Sequence, residues 1–441
     1  MFLVTIIWIG IDDTDSTKGG CTTYVARAII KKLLEKYDII GYPHLVRLNP
    51  NIPWKTRGNG AISIQVGKRG KKKVKIGEIE GRDVVSSLEL THDIEKSDRK
   101  KIKNIVKEIV EENARTEDEN TNPGFVILKE QPDGETYTKS VTQIVTVDEI
   151  KSFLNSIEAD FEGYKNCRGL IGATSAIAWS PLLDKTYELI SYRQRRRWGT
   201  KRDVDSKSVK KMDTSCKTTF DNYDYENKHN RLVPNSPCPI LYGIRGEDVK
   251  DLVKASSIVE SEPIDSWLIF ETNQGTDDHL QKKNIADIQS YQSVIVKGSV
   301  VQNPYTIDGG HVIFTVKDPT GTIDCAAYEP TKEFRDVVRK LCMGDVVEVY
   351  GGIRRQPLTV NIEKIRIEHL TTIVEKIENP VCSNCGKHMK SKGKDQGYKC
   401  KICGTKSDKP IVREKKRTIQ TGFYEAPVCA RRHLSKPLKR R

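Results

Sequence analysis

The sequence predicts a multidomain protein with an N-terminal half of α/β and α+β structure, an all-β OB-fold and a C-terminal zinc ribbon. Three observations predict this. An apolar strand leads through an acidic turn into an amphipathic helix near the N-terminus. Three strands, a helix and two strands follow one another within residues 291–370. Two Cys-x2-Cys pairs lie close to the C-terminus.

The first predicted element is a buried strand, Phe2 to Ile11, which ends in three aspartates, Asp12, Asp13 and Asp15. Carboxylates this close together repel each other unless a cation or protons intervene. Such hard oxygen ligands suit Mg²⁺ bound together with nucleotide phosphates. Because the end of a strand faces a crevice in α/β folds, the sequence predicts a metal–triphosphate site here.

Two glycines, Gly19 and Gly20, precede a helix that is predicted to begin near Thr22. Glycines let backbone N–H groups approach a phosphate, and a helix N-terminus favours anions. Thr23 belongs to the same helix start, and the turn Arg57-Gly58-Asn59-Gly60 can add donors through Arg57 and Gly58. The segment is no P-loop, because a Gly-Lys-Ser/Thr ending is missing. The alternatives are a plain hairpin turn at Arg57 and a helix in which Thr22 is only a cap.

The middle of the chain carries a dense basic segment around one tryptophan, Trp198. Guanidinium groups at this density predict contact with phosphates or an anionic substrate. A surface run of charge is the alternative interpretation. The predicted contacts are Arg193, Arg195, Arg196, Arg197, Thr200 and Arg202. Residues 203–236, which follow, are predicted to be irregular.

Residues 291–370 have the element order of an OB-fold, a barrel that commonly binds single-stranded nucleic acid on one face. The alternative is a small β module that spaces its neighbours. The ribbon follows, with Cys382 and Cys385 separated by fourteen residues from Cys400 and Cys403. Four thiolates make a closed tetrahedral site, so the predicted zinc is structural.

Charge is distributed unevenly along the 441 residues. The net charge is +14, from 74 Lys and Arg against 60 Asp and Glu. From Cys382 to Arg441 there are 18 Lys and Arg against four Asp and Glu, so the preceding residues balance to zero. A basic tail of this kind favours a nucleic-acid partner over a membrane, and a merely solvated tail is the alternative. No apolar run approaches the roughly 20 residues of a membrane span, and a cytoplasmic protein is expected.

Taken together, the motifs resemble the archaeal tRNA-isoleucine 2-agmatinylcytidine synthetase (TiaS) family over essentially the whole chain. Gly20 is a small departure, where a bulkier residue such as Met is expected. The motifs that carry the resemblance are Gly10-Ile11-Asp12-Asp13-Thr14-Asp15-Ser16, Gly20-Cys21-Thr22-Thr23-Tyr24, Gly169-Leu170-Ile171-Gly172-Ala173, Tyr192-Arg193, Gly199-Thr200-Lys201-Arg202, Tyr242-Gly243-Ile244-Arg245-Gly246, Cys325-Ala326-Ala327-Tyr328-Glu329-Pro330-Thr331, the four zinc cysteines and Ala430-Arg431-Arg432-His433-Leu434-Ser435-Lys436-Pro437.

The resemblance implies four domains: a kinase-like ATP-binding domain over residues 1–150, a ferredoxin-like domain over 151–288, an OB-fold over 289–372, and a zinc ribbon with a basic tail over 378–441. It implies ATP-dependent attachment of agmatine to the wobble cytidine of minor isoleucine tRNA, with a switch of decoding from AUG to AUA. The family's metal–phosphate aspartates correspond to Asp12, Asp13 and Asp15. Its autophosphorylated threonine corresponds to Thr22.

Two other functions remain open on the residues alone. One is a nucleic-acid-binding protein in which the OB-fold and ribbon hold single strands without agmatine chemistry. The other is a nucleotidyl transferase or phosphatase that uses the aspartates on a different RNA. Cleavage of ATP to AMP that depends on Thr22 or the aspartates separates the first of these from the synthetase, and product analysis separates the second.

Overall fold

The computed structural model describes residues 6–89, 94–182, 184–355 and 357–441. Most of the predicted strand from Phe2 lies within these ranges, but its first four residues lie outside them. The helices are α1 (Thr22–Leu33), α2 (Lys96–Asn113), α3 (Glu135–Thr142), α4 (Val147–Ser156), α5 (Gly169–Ala178), α6 (Ser206–Ser215), α7 (Val249–Ile258) and α8 (Phe334–Arg339). Within these ranges every helix is too short or too polar to span a bilayer.

The N-terminal half is built on one large mixed sheet. Its strands pair in the order β7-β6-β1-β3-β2-β5-β4-β13-β8-β12-β9, whereas β10 and β11 pair with each other. The strands are β1 (Ile7–Asp12), β2 (Asp38–Arg47), β3 (Gly60–Gly67), β4 (Lys71–Ile79), β5 (Arg82–Glu89), β6 (Gly124–Leu128), β7 (Asp160–Gly163), β8 (Thr186–Arg193), β9 (Thr219–Phe220), β10 (Tyr223–Asp224), β11 (His229–Asn230), β12 (Ile240–Gly246) and β13 (Ile264–Thr272).

Strand β1 lies between β3 and β6 and is covered on both faces, as its continuous apolar run predicts. Ile9 and Ile11 face the cluster that contains α1 and α2, and Trp8 faces α5. Helix α5 comes very close to the strand, because a Cβ on Gly10 would lie 2.1 Å from the carbonyl oxygen of Ala173. This close packing places the start of α5 beside the end of β1, where the aspartates are.

Strand β13 joins the two N-terminal domains, since it pairs with β8 on one side and with β4 and β2 on the other. Helices α6 and α7 cover the second part of the sheet. The prediction of irregular structure over residues 203–236 is therefore wrong for α6. Asp205 caps that helix by accepting a hydrogen bond from the Ser208 backbone N–H at 2.7 Å, and Val209 and Met212 are fully buried.

The predicted boundary between residues 150 and 151 falls inside α4. This helix packs through Ile150 and Leu154 against the same cluster as α5. Because this cluster contains residues of β1, β6 and α5, it does not by itself assign α4 to one domain, and the domain bounds stay a prediction.

The OB-fold has the predicted order of elements, with α8 between its third and fourth long strands. Pairing of β15 with both β16 and β18, and of β17 with β19, closes the barrel around Val296, Phe314 and Val349. Its strands are β14 (Leu280–Lys282), β15 (Ser293–Ile307), β16 (His311–Asp318), β17 (Gly321–Ala327), β18 (Val346–Arg354) and β19 (Thr359–His369).

The C-terminal region contains the ribbon and a segment that returns to the body. The returning segment, residues 422–441, is called the C-terminal strap below; its first strand pairs with β19 of the barrel. The strands of this region are β20 (Ile373–Glu378), β21 (Lys390–Ser391), β22 (Tyr398–Lys399), β23 (Lys406–Ser407), β24 (Ile411–Lys415) and β25 (Gly422–Glu425).

Candidate active site

The aspartate cluster, Asp12, Asp13 and Asp15, lies where β1 ends. Burial, and next the charge of Asp13, raise the pKa of Asp12 well above its ordinary value. Burial also raises the pKa of Asp13, although Arg168 opposes the shift. Ionised carboxylates in this position need a nearby cation. The donor set, oxygens only and crowded at the end of a strand, fits Mg²⁺.

The backbone and neighbouring side chains hold two of these carboxylates in place. Asp13 adopts a left-handed conformation, with φ of 54°. It accepts hydrogen bonds from the Thr56 hydroxyl and the Asn122 backbone N–H, each at 3.2 Å. Arg57 donates from Nε to Asp15 at 2.6 Å and from Nη2 to the Gly20 carbonyl at 2.7 Å. The cluster is therefore fixed before any substrate binds.

Helix α5 packs directly on the first aspartate. A Cβ on Gly172 would lie 1.9 Å from the Asp12 Oδ2 atom. A larger residue at position 172 would displace the carboxylate, so the glycine in the Gly169-Leu170-Ile171-Gly172 motif has a defined steric role.

The start of α1 lies beside the cluster, as predicted. The capping residue is Cys21, whose side chain makes no capping hydrogen bond, so Thr22 is the first helical residue and not the cap. Its buried hydroxyl accepts a hydrogen bond from the Thr14 hydroxyl at 3.2 Å. The Thr23 hydroxyl lies 3.0 Å from the Cys21 thiol.

A cavity of about 430 Å³ brings these groups together. Its walls come from the N-terminal domain, the second domain and the C-terminal strap. All four predicted catalytic residues and three of the predicted nucleotide contacts line it; Gly19 and Gly20 lie directly behind the helix start and do not. The lining residues include Asp12, Asp13, Asp15, Thr22, Thr23, Arg47, Trp54, Thr56, Arg57, Gly58, Arg168, Gly172, Glu188, Asp221, Arg245 and His433.

Several lining residues were not predicted from the sequence. They form a basic wall in which His433 Nδ1 lies 2.7 Å from the Arg245 Nη2 donor. Glu188 lies between Arg245 and Arg47, at 3.5 and 4.0 Å. Desolvation within the cavity, and next the positive charges of Arg47 and Arg245, lower the pKa of His433, although its side chain remains exposed to solvent at the cavity wall. The motifs around Arg245 and His433 carry the family resemblance, and this is the signal that could have identified them.

The predicted arginine segment contains side chains in two different environments. Some guanidinium groups are bonded within the protein, and others are exposed to solvent. Arg193 is buried and bonds Glu262 from Nε at 2.7 Å and the Thr200 carbonyl at 2.7 Å. The Arg202 guanidinium donates to four carbonyls, those of Pro234, Ser236, Cys238 and Ile240.

These contacts bond the guanidinium groups of Arg193 and Arg202 to protein acceptors, and Arg193 also donates to the Thr200 hydroxyl at 3.0 Å. Phosphate binding by these three residues stays a prediction. Arg202 fixes the segment 234–240, parts of which line the cavity. Arg195 and Arg196 are exposed, and Arg197 is half exposed beside Glu262. None of the six predicted contacts lines the cavity in the part of the chain that the structure describes.

The four zinc cysteines converge as predicted. Their sulfur atoms all lie within 4.8 Å of one another. Gly386 and Gly404 have φ of 68° and 74°, and each donates its backbone N–H to the carbonyl of the first cysteine of its pair. Four converging thiolates with no other ligand among the described residues fit a closed structural zinc site.

The basic tail divides into two parts with different partners. The strap is bound to the body through ion pairs, so it is not the merely solvated end that was the alternative interpretation. The pairs are Arg431 with Asp221 and Glu425, Arg432 with Glu363, Lys436 with Asp184, Arg440 with Asp184 and Glu247, and Arg441 with Asp277. The ribbon, by contrast, keeps its lysines exposed to solvent.

Comparison with known proteins finds one family along the chain. Its sequence models match residues 8–166 (TiaS TCKD domain), 167–279 (TiaS FLD domain) and 379–419 (TiaS C-terminal zinc ribbon domain). An OB-fold nucleic acid binding domain matches residues 288–368.

Relatives and solved structures agree with these matches. The isoleucine tRNA 2-agmatinylcytidine synthetase TiaS of Methanocaldococcus jannaschii is 44% identical, with 99% of each chain covered. That of Archaeoglobus fulgidus is 42% identical, with 98% of this chain and 97% of the relative covered. The structure of a complex of TiaS with isoleucine tRNA and ATP has a TM-score of 0.85 at 40% identity, covering 99% of this chain and 98% of that chain. A complex of TiaS with isoleucine tRNA, AMPCPP and agmatine has a TM-score of 0.83 at 38% identity, with the same coverage.

Proposed function

The chain belongs to the TiaS family of isoleucine tRNA 2-agmatinylcytidine synthetases, and from this premise we propose that it uses ATP to attach agmatine to the 2-position of the wobble cytidine of minor isoleucine tRNA. The product base pairs with A instead of G, which switches decoding from AUG to AUA. The observation that carries the proposal is the cavity in which the half-buried aspartate cluster, Thr22 and a basic wall face one another.

The reaction requires activation of a poor electrophile. The cytosine 2-carbonyl resists attack by an amine, and its oxygen is a poor leaving group. Transfer of a phosphoryl group from ATP to this oxygen makes it a good leaving group. The primary amine of agmatine then attacks C2, a C–N bond forms, and the C–O bond breaks with release of phosphate.

The aspartate cluster would hold the metal that phosphoryl transfer needs. Bound Mg²⁺ would neutralise charge on the triphosphate. Asp12, Asp13 and Asp15 supply the oxygen ligands, and Gly172 leaves room for the Asp12 carboxylate. Arg57 orients Asp15, and Thr56 orients Asp13, so both carboxylates would be positioned in advance to hold the metal.

Thr22 is the phosphate acceptor, or a regulator of the site, as the family resemblance implies. Its hydroxyl lies at the start of α1, beside the aspartates and in the cavity wall. The uncapped helix start, with Thr23, Arg57 and Gly58, supplies donors for triphosphate oxygens. Gly19 and Gly20 let the chain turn into that helix, with Gly20 at φ of 76°.

The N-terminal half carries out the chemistry, and the C-terminal domains bind the tRNA. The N-terminal domain is kinase-like and the second domain is ferredoxin-like. The OB-fold and ribbon hold the tRNA away from the anticodon, largely through its backbone. The exposed Arg195 and Arg196, with Arg197, add phosphate contacts. Because the substrates are tRNA and ATP, the reaction takes place in the cytoplasm.

The test is incubation with minor isoleucine tRNA transcript, ATP, Mg²⁺ and radiolabelled agmatine, followed by digestion and mass identification of any labelled nucleoside. Label on the wobble cytidine that requires ATP is expected. Asp13→Asn should abolish ATP cleavage and keep tRNA binding. Asparagine tolerates the left-handed backbone at this position, so the variant removes the charge and preserves the fold.

A matched control is Asp83→Asn, which removes an exposed carboxylate far from the cavity and should keep full turnover. Normal turnover by Asp13→Asn would refute the metal role. Tight tRNA binding without any labelled nucleoside would instead favour a binding protein. A different labelled or phosphorylated RNA product would favour a nucleotidyl transferase or phosphatase.

A further inference from the structure

An exposed tryptophan lies in the wall of the cavity and has no assigned role. Trp54 is 44% exposed, whereas Trp8 and Trp179 are 9% and 1% exposed. Its ring meets Tyr291 at a centroid distance of 6.4 Å and an interplanar angle of 57°. A tilted contact of this kind leaves much of the indole surface free. A large aromatic ring left open inside a polar cavity suggests that a planar ligand covers it.

The segment that carries this ring, residues 49–59, is called the Trp54 loop. Its first part is tied to the entrance of the OB-fold. Asn49 donates to the Tyr291 carbonyl at 3.0 Å, and Asn51 donates to the Gln292 carbonyl at 2.9 Å. Arg432 of the strap donates to the Asn51 side-chain oxygen at 2.6 Å. This end of the loop is therefore held in place before a ligand binds, which lowers the entropic cost of binding.

The second part of the loop contacts the aspartate cluster, since Thr56 bonds Asp13 and Arg57 bonds Asp15. Trp54 and Thr56 are two positions apart in the chain, a span of at most about 7 Å between Cα atoms. The indole and the aspartate cluster therefore line the same cavity, and a single short loop connects them.

The reaction brings two bases into the cavity, the adenine of ATP and the wobble cytosine of the tRNA. The position of Trp54 favours the cytosine as the base that stacks on it. In ATP, the adenine is separated from the transferred phosphate by the other phosphates and the ribose. The base that accepts the phosphoryl group must instead lie directly beside it. Because cytosine is neutral and has an open π-face once it leaves the anticodon loop stack, an aromatic platform can hold it without a charged partner.

We propose that Trp54, supported by Tyr291, is the stacking platform for the extruded wobble base of the tRNA. The proposal rests on the proposed function and assigns it a substrate-positioning residue. In this arrangement the indole fixes the plane of the cytosine ring. The 2-oxygen of the cytosine is then directed towards the aspartate cluster.

The experiment uses a tRNA transcript with the fluorescent analogue pyrrolocytidine at the wobble position, together with steady-state kinetics on the unlabelled transcript. Stacking on Trp54 should quench the analogue when it binds the wild-type protein. Trp54→Ala should lose this quenching and lower kcat/KM for the tRNA by about 10- to 100-fold, with the KM for ATP changed less than about twofold. Trp54→Phe keeps an aromatic face and should retain quenching and most of the activity.

Tyr225→Ala is the matched control, since it removes an aromatic ring that is 51% exposed and does not line the cavity. A raised KM for ATP in Trp54→Ala with quenching intact would overturn the proposal in favour of adenine stacking. Equal losses in the Ala and Phe variants, or no loss in either, would also overturn it. If the wild-type protein makes no agmatinylated product, the proposed function fails, whereas quenching still tests the platform.

Discussion

The ribbon and the strap have the same basic character in the sequence and opposite electrostatic environments in the fold. The ribbon's lysines are exposed, and none forms an ion pair within the described ranges; they are Lys387, Lys390, Lys392, Lys394, Lys399, Lys401, Lys406, Lys409, Lys415 and Lys416. Every ion pair of the strap joins it to the body or to its own Glu425. Of these two basic regions, the ribbon is the one that offers free charge to phosphates.

The difference shows that local charge density does not identify an RNA contact. The strap's cations are neutralised by carboxylates that lie far away in the sequence, such as Asp221 for Arg431. Its basic residues therefore fix the chain end to the cavity wall, where His433 takes part. The ribbon has four thiolates and few acids, so its cations remain free to contact a tRNA backbone.

The largest expected effect is the unfolding of the ribbon when its zinc is lost. The strap should stay folded, because ion pairs with the body hold it in place. Removal of zinc by a chelator, or Cys400→Ser, should unfold the ribbon, because structural zinc contributes about 10–16 kcal/mol to folding of such modules. Limited proteolysis should then cut within residues 379–419 and spare residues 422–441. Cys167→Ser, away from the zinc site, is the control. Loss of the strap together with the ribbon would contradict independent anchoring.

Arg431→Ala tests the strap's buried ion pairs. The side chains of Arg431 and Asp221 are 9% and 7% exposed, so removal of one partner leaves a buried charge and should cost about 3–5 kcal/mol. Hydrogen exchange at strap amides measures this loss. Arg413→Ala removes an exposed pair with Glu375 in the ribbon region and should cost about 0–1 kcal/mol. Similar losses of stability in Arg431→Ala and Arg413→Ala would show that the strap's ion pairs are no more stabilising than an exposed pair.

An effect of intermediate size is expected when the pH is lowered and the contact between Arg432 of the strap and Glu363 of the barrel is lost. Burial opposes ionisation of Glu363, yet Arg432 and next His279 lower its pKa to about 2. Because this pKa lies below the unfolded value of 4.5, the stabilisation is complete above pH 4.5 and is lost as the pH falls towards 2.

Arg432→Gln should raise this pKa, reduce stability at neutral pH by about 1–2 kcal/mol and flatten the acid dependence. Hydrogen exchange between about pH 5 and pH 2.5 measures the slope at strap amides. Lys297→Gln, which removes an exposed pair with Glu368 on the barrel, should leave the slope unchanged. An unchanged slope in Arg432→Gln would show that the strap does not hold Glu363 ionised.

The smallest effect on stability is expected for the free lysines. Replacement of Lys390, Lys392 and Lys394 by alanine should change stability by less than about 0.5 kcal/mol. If each lysine neutralises one tRNA phosphate, the slope of log affinity against log salt should fall by about 2–3. Lys72→Ala with Lys73→Ala removes cations already paired with Glu89 and Asp38 and should leave the slope unchanged. The opposite result would place the RNA contact on the N-terminal hairpin.

The sequence by itself determined the elements whose physical cause is local. The apolar run before Asp12 specifies a strand, and apolar residues at every fourth position after Thr22 specify a helix. The cysteine spacing specifies a metal site. The barrel's strand order was also readable, because turn residues mark each strand end. The family resemblance added the proposed role of Thr22, which no local pattern supplies.

Only the tertiary structure decided which charges are free and which residues meet in the cavity. Arg193 is buried against Glu262, and the strap's arginines are paired with acids from other domains. Arg47, Glu188, Arg245 and His433 come together from four separate segments. No local pattern encodes these encounters, because the partner of a charge is set by how sheets and helices pack. The physical reason is that burial and pairing, not sequence density, decide what a charged side chain can bind.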